Sequence, residues 1–155
     1  MPTKETTKRA GGKTTNVWTD EERAAMQESA KERKRQQKLS PEQERAAGEK
    51  EIQDKIAELP ADDRKMAARV HQVVQQAAPT LVPRTYYGMP AYSKDGKTIC
   101  FWQPKSKFKV RYSTFGFQPD AKVDDGDMWP IAFAVTELTP KVEARIAELV
   151  KKAIS

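Results

Sequence analysis

The stretch TYYGMPAYSKDGKTICFW, Thr85 to Trp102, lies where the chain changes from helical to strand-like periodicity. Its Asp95-Gly96 pair separates two extended segments, and this pair predicts a two-residue β-hairpin turn. The segment TICFWQ after the turn is apolar on both faces, which is typical of a central strand. The stretch therefore predicts that an antiparallel sheet forms the centre of the fold.

Two later segments continue the strand pattern. Residues 107–117, KFKVRYSTFGF, begin with alternating basic and apolar side chains, which predicts a strand with one solvated face. Residues 131–138, IAFAVTEL, predict another strand, in which Ala132 and Ala134 leave room for a helix to lie close. Thr139 and Pro140 then begin a last helix, whose apolar residues recur on one face.

Helices are predicted ahead of the sheet. A capping box of Thr19 and Glu22 starts a first helix, which has so few apolar residues that we expect it to dock through Trp18 and Met26 at most. Two further helices, one on each side of Pro60, carry apolar residues at helical spacing. The order of helices, strands and a final helix predicts a segregated α+β arrangement.

The chain of 155 residues divides into three parts. We expect residues 1–16, which contain almost no hydrophobic side chain, to be disordered. Residues 17–48 predict a solvated helical extension, and residues 49–155 predict one α+β domain. In that domain we expect an antiparallel sheet of about four to five strands, packed against helices on one face.

Charge and composition limit the class of protein. The 28 basic and 22 acidic residues give a net charge of +6, which permits contact with an anionic partner. The single Cys100 excludes an internal disulfide and predicts a buried thiol in a reducing compartment. Since we find no run of about 18 apolar residues and no secretory signal, we expect a cytoplasmic protein without a membrane span.

Candidate catalytic residues are few. His71 is the only histidine, and it lies beside the apolar stripe of a helix with no nucleophile motif near it. We expect it to be a partly exposed structural residue. Cys100 has no second cysteine and no evident cationic neighbour to activate it. These features predict a protein that is not an enzyme.

Five carboxylates lie close together in the sequence. Glu51, Asp54 and Glu58 fall at i, i+3 and i+7, so they share one stripe of a helix. Asp62 and Asp63 follow directly after it. Oxygen ligands on an exposed face suit a weakly held iron ion, whereas one histidine and one cysteine exclude a zinc-type site. The alternative is an ordinary solvated helix, in which interleaved lysines pair with these carboxylates.

Several longer segments carry a family resemblance. They are RTYYGMPAYSKDGKTICFW, KFKVRYSTFGF, DDGDMWPIAFAVTEL, EARIAELVKKA and the N-terminal WTDEERAAMQESAKE, with YGMPAY, residues 87–92, as the most specific motif. The chain resembles the YdhG-like family of bacterial proteins over about residues 17–153. This resemblance implies a frataxin-like α/β sandwich. It also implies an intracellular iron chaperone, which holds iron as cargo through weak carboxylate contacts and delivers it to an acceptor protein.

A basic segment offers an alternative function. Its four basic residues alternate along KSKFKVRY and are predicted to form a row on the solvent face: Lys105, Lys107, Lys109 and Arg111. Such a row suits an anionic partner such as nucleic acid. The same alternation also keeps a sheet face solvated and its edge unpaired.

The tyrosine-rich segment offers a second alternative. Its large side chains would form an aromatic groove that binds a small ligand or a partner's side chain, built from Tyr86, Tyr87, Met89 and Tyr92 with Trp102, Phe108 and Trp129 as walls. The competing interpretation is a bend that joins a helix to the sheet and closes one end of the core.

Overall fold

The computed structural model describes residues 18–36 and 39–155, and the side chains at 35 and 36 are outside this description. The predicted disordered start, residues 1–16, lies outside the described residues. The helices and strands are α1 Asp20–Gln36, α2 Pro41–Ala57, α3 Ala61–Ala77, β1 Val82–Tyr86, β2 Met89–Lys94, β3 Lys97–Gln103, β4 Ser113–Phe117, β5 Ala132–Val135 and α4 Pro140–Ala153.

The five strands form one antiparallel sheet in the order β1-β2-β3-β4-β5. This sheet and the helices beside it confirm the predicted α+β class. The predicted hairpin turn is present, with φ of 53° at Asp95 and 78° at Gly96. A second two-residue turn, Tyr87-Gly88, joins β1 to β2, where the sequence predicts a bend between helix and sheet. Both turns have two positive φ angles, which matches the twist of the flanking strands.

One face of the sheet, called the inner face here, packs against α2, α3 and α4. Strand residues on this face include Tyr92, Cys100, Trp102, Phe115 and Phe117, all buried. The helices contribute apolar residues at the predicted helical spacing, among them Ile52, Ile56, Val70, Val74, Ile146 and Val150. Burial of these side chains from water supplies the main driving force for the fold.

Gly48 allows α2 to lie close to β1. A Cβ at this position would overlap the carbonyl oxygen of Pro83, so no larger residue fits. A glycine inside a helix costs about 1 kcal/mol relative to alanine, and here that cost is offset by closer packing. The helix runs unbroken across residue 48, where the sequence predicts the boundary between extension and domain.

Helix α1 lies at the end of the sheet that carries the β1–β2 turn and the β3–β4 loop. Thr19 caps it as predicted, because the Thr19 hydroxyl accepts the Glu22 N–H at 3.0 Å. The expectation that α1 docks only through Trp18 and Met26 is wrong, since those two side chains are exposed. The buried residues of α1 are instead Ala25, Ser29 and Glu32.

The strand predicted for residues 107–117 begins only at Ser113. The segment between β3 and β4 is a loop, which closes on itself through bonds from Lys107 N to Pro104 O and from Val110 N to Lys105 O. Lys109 has a left-handed φ of 55°. Because these backbone groups bond within the loop, the alternation of basic and apolar residues there does not reflect a sheet.

His71 is buried, so the expectation of partial exposure is wrong. Its Nε2 lies 2.8 Å from Glu49 Oε2, and its Nδ1 lies 2.9 Å from the Tyr92 hydroxyl. Because a carboxylate oxygen only accepts, Nε2 donates to Glu49. The contact ties α2, α3 and β2 together.

None of the described helices is both long enough and apolar enough to cross a bilayer.

Candidate functional site

An apolar groove of about 290 Å³ lies between α1 and the outer face of the sheet, opposite the core. It is called the aromatic groove here. Its lining residues come from α1 and the segment before it, the first three strands, and the three connections after β1, β3 and β4: Trp18, Glu22, Ala25, Met26, Tyr86, Tyr87, Met89, Phe101, Gln103, Phe108 and Gln118.

Strand pairing places the groove residues on the outer face. Successive side chains of a strand point to opposite faces, and paired residues share a face. Phe101 pairs with Ala91 on one side and with Gly116 on the other, whereas the neighbouring Cys100 and Trp102 point into the core. A Cβ at Gly116 would overlap the Phe101 ring. The ring can therefore lie over β4 only because residue 116 has no side chain.

Three aromatic rings form the floor of the aromatic groove. The Tyr86 and Tyr87 ring centroids are 4.5 Å apart at 85°, and those of Tyr86 and Phe101 are 5.8 Å apart at 44°. Gln118 Nε2 donates a hydrogen bond to the Tyr86 hydroxyl at 3.5 Å. Burial raises the pKa of Tyr86, so its hydroxyl stays protonated at neutral pH. The floor therefore offers apolar ring faces with a neutral polar group beside them.

The turn at one end of the groove has an unusual backbone. Tyr87 has a φ of 51°, a left-handed conformation that is uncommon for a residue with a large side chain. The next residue, Gly88, has a φ of 75°, and its N–H donates to Glu32 Oε1 at 2.9 Å. Burial raises the pKa of Glu32 above the ordinary 4.5. Helix α1 thus holds the strained turn through a buried carboxyl.

Glu28 adds ion pairs around the same turn. Its carboxylate lies 3.5 Å from Lys55 Nζ and 3.8 Å from Lys107 Nζ. A Cβ at Gly88 would overlap this carboxylate, so α1 approaches the turn as closely as glycine allows. The groove wall is therefore fixed to both the helical layer and the β3–β4 loop.

The structure brings together four of the seven predicted ligand-binding residues. Tyr86, Tyr87, Met89 and Phe108 line the aromatic groove. The other three are elsewhere: Tyr92 and Trp102 are fully buried on the inner face, and Trp129 packs partly buried against the core. Tyr92 and Trp102 were misplaced because strand alternation sends them to the side opposite Ala91 and Phe101.

Sequence reasoning did not identify Phe101, Trp18 or Met26 as groove residues. Phe101 could have been found, because it alternates with two core residues in TICFWQ. For Met26 in α1 and Trp18 just before it, the sequence predicted docking of the helix but no groove. Their position beside β1 and β3 depends on the contacts of α1 with the distant turn and loop.

Three of the predicted iron ligands are engaged by other side chains. The Thr85 hydroxyl donates to Glu51 Oε2 at 2.9 Å. Asp54 pairs with Lys50 at 2.9 Å, and Glu58 lies 3.6 Å from Lys55 Nζ. Two of the three carboxylates thus pair with lysines, Asp54 with Lys50 and Glu58 with Lys55, whereas the partner shown for Glu51 is Thr85.

The remaining two predicted ligands differ from each other. Asp62 is exposed, whereas Asp63 is buried and accepts a hydrogen bond from the Ser106 N–H at 3.0 Å. Over residues 18–36 and 39–155, no three histidine, cysteine, aspartate or glutamate side chains are grouped so that they could hold a metal ion. The contacts in this region are lysine pairs and hydrogen bonds that join α2 to β1 and α3 to the β3–β4 loop.

The basic residues predicted to bind an anionic partner do not form a row. Lys107 pairs with Glu28 and Lys109 with Glu21, the latter at 2.7 Å. The Arg111 guanidinium lies 5.2 Å from the Tyr112 ring centre, and the exposed Lys105 lies at the start of the loop. Two of the four charges are thus used to hold α1.

The two residues considered for catalysis are both buried. Burial raises the pKa of the Cys100 thiol far above its usual range, so the nucleophilic thiolate is not formed at neutral pH. The imidazole of His71 is bonded at both ring nitrogens. Neither residue lines the aromatic groove.

Comparison of the chain with protein-family models, with curated proteins and with solved structures gave no match in any of the three. The resemblance to the YdhG-like family therefore stays a prediction.

Proposed function

We propose that this chain is a non-catalytic binding protein, whose aromatic groove takes a small, flat, apolar ligand with a polar edge. The observation that carries the proposal is the open aromatic floor of Tyr86, Tyr87 and Phe101 beneath α1. Ligand sites are typically concave and apolar with a few polar groups, and the groove has this character.

The size and chemistry of the groove favour one ring system. A volume of about 290 Å³ suits a ligand of one or two fused rings. The edge-to-face and tilted rings of the floor leave aromatic surface on which a flat ligand can stack. Gln103, Gln118 and the Tyr86 hydroxyl offer hydrogen bonds to its polar edge.

The strained turn supports a role in binding. A left-handed non-glycine residue costs about 1–2 kcal/mol, and such strain tends to occur where function needs a fixed geometry. Here the strained residue is Tyr87, whose ring lies against Tyr86 in the groove. An asparagine or glycine would make the same turn without this cost, but neither would supply the ring.

The test uses indole as a probe of the full chain. Indole should shift amide resonances of the groove residues in ¹H–¹⁵N spectra, with saturation on titration. Phe101→Ala should weaken binding about tenfold, because stacking on one ring is worth about 1 kcal/mol or more. Tyr112→Ala is the matched control, since Tyr112 is a half-buried aromatic residue that does not line the groove. Equal affinity of the Phe101 variant, or shifts spread over the whole chain, would contradict the proposal.

Iron delivery, which the resemblance implies, is a separate prediction with its own test. Anaerobic titration of ferrous iron, followed by calorimetry, should show binding that decreases in the Glu51/Asp54/Glu58→Ala variant. The contacts of these residues with Thr85, Lys50 and Lys55 do not favour that result. Binding that is identical in the wild type and the variant would remove the three carboxylates as ligands.

A further inference from the structure

Strand β5 is the last strand of the sheet, and no strand among residues 18–36 and 39–155 pairs with its far side. The Phe117 N–H donates to Ile131 O, and Phe115 pairs with Phe133 in the same register. In an antiparallel pair, residues alternate between bonding the neighbouring strand and pointing away from it. The N–H and C=O groups of Ala132 and Ala134 therefore point away from β4, towards the open edge.

Small side chains flank this open edge. Ala132 and Ala134 are exposed on the outer face, where the sequence leaves room for a helix. No described helix covers them. An exposed edge with unpaired backbone groups is a template for another strand, and natural proteins usually protect such edges with charge, proline or a bulge. Between Ala132 and Val135 β5 has none of these protections.

An apolar cleft of about 200 Å³ lies beside the same edge, between β5 and α4. Val135, Val142, Ile146 and Leu149 are among its lining residues. Ile131 lies on the same strand face as Val135 but at the other end of β5, and it is 56 % exposed. One end of the edge thus carries an open apolar cleft and the other an exposed apolar side chain.

These features are complementary under a two-fold rotation. When β5 pairs antiparallel with a copy of itself centred on Phe133, Ala132 of one chain lies opposite Ala134 of the other. Each such pair can exchange both backbone hydrogen bonds, because these are the outward-pointing residues. The same register places Ile131 of the second copy opposite Val135, at the apolar cleft.

We propose that the protein forms a symmetric dimer through β5, which joins two five-stranded sheets into one continuous sheet. The occupant of the open edge is a second copy of this chain, because pairing of the strand with its own sequence satisfies register, backbone bonding and apolar contacts together. This inference is independent of the aromatic groove, which is built from α1, β1, β2, β3 and the segments beside them. A two-fold interface of this kind is the commonest form of homo-oligomer.

Sedimentation equilibrium of the full chain tests the dimer. The wild-type mass should rise with concentration from 17.5 kDa towards twice that value. Ala134→Pro should weaken the dimer about tenfold or more, because each copy loses one backbone donor at the interface. The fold of the single chain should be retained, because this N–H takes no part in pairing with β4. Circular dichroism checks that retention.

A second variant keeps the test valid if the proline disturbs the strand. Ile131→Glu places a carboxylate beside the apolar cleft and should weaken the dimer at least as strongly. Val110→Glu is the matched control, because Val110 is an apolar residue of similar exposure, 43 %, in the β3–β4 loop. It should leave the association unchanged. A wild-type mass of 17.5 kDa at every concentration, or a dimer that survives Ile131→Glu, would overturn the inference.

Discussion

Neighbouring residues of the same strand lie on the two faces of the sheet and have different surroundings there. In β3, Cys100 and Trp102 point to the inner face and are completely buried under the helices. Phe101 lies between them and points to the outer face, where it is only partly buried beside α1. The difference shows that the extent of helical cover, rather than the apolar character of the strand, separates a closed core from a partly exposed groove.

The largest expected change in stability is seen when a ring is removed from the inner face and compared with removal of a ring from the outer face. Phe115→Ala on the inner face should lower the free energy of unfolding by about 3–5 kcal/mol, because it leaves a cavity in a closed core. Phe101→Ala on the outer face should lower it by only about 1–2 kcal/mol, since the ring is partly exposed. Urea denaturation of both variants measures the contrast. Equal losses would mean that the outer face is a second core rather than a binding surface.

A smaller effect is expected where α1 holds the turn. Glu32→Ala removes the acceptor of the buried Gly88 N–H and should cost about 1–3 kcal/mol. Hydrogen exchange should show the loss first in the amides of α1 and of the β1–β2 turn. Glu148→Ala, at an exposed glutamate of α4, is the control and should change neither quantity. Faster exchange spread evenly over the chain would contradict a local role.

The same residue predicts a pH dependence. Burial gives Glu32 a higher pKa in the folded chain than the ordinary 4.5, so the folded chain binds its proton more readily than the unfolded chain. The stabilisation that comes from protonating Glu32 is therefore fully present below pH 4.5. It is lost as the pH rises through the folded pKa. Glu32→Gln keeps an acceptor for the Gly88 N–H and does not titrate. The variant should therefore lose this dependence of the free energy of unfolding on pH. An unchanged slope in the variant would assign the dependence to another group.

The smallest change in stability is expected at the strained turn. Tyr87→Asn should relieve a left-handed strain of about 1–2 kcal/mol while losing ring contacts of about 0.5–1.5 kcal/mol. The net change should therefore stay within about 1.5 kcal/mol of zero, measured by thermal unfolding. Indole binding should weaken nonetheless, because a ring of the groove floor is gone. A variant that is strongly destabilised would show that Tyr87 serves packing rather than binding.

Local patterns predicted the elements that depend on short-range contacts. The predicted cap of the first helix is present, with the Thr19 hydroxyl accepting the Glu22 N–H. The Asp95-Gly96 turn forms because both residues accept positive φ angles at low cost. Such features need only residues within a few positions of one another, so a sequence determines them.

The predictions failed where one sequence pattern is compatible with two different backbone conformations. The alternation over residues 107–112 fits a strand, but this loop satisfies its own backbone groups and pairs Lys107 and Lys109 with glutamates of α1. The hairpin turn at Tyr87 was missed because tyrosine rarely takes a positive φ. The turn is held by Glu32, which accepts the Gly88 N–H from 56 positions away in the sequence.

The sequence by itself determined the α+β class, the starts of the capped helices and the apolar stripes that enter the core, because periodicity and capping act between near neighbours. Only the tertiary structure decided which aromatic residues form a core and which form a groove. That choice depends on where α1 comes to lie. Its position is set by the contacts of Glu28 and Glu32 with residues far along the chain, which no local pattern encodes.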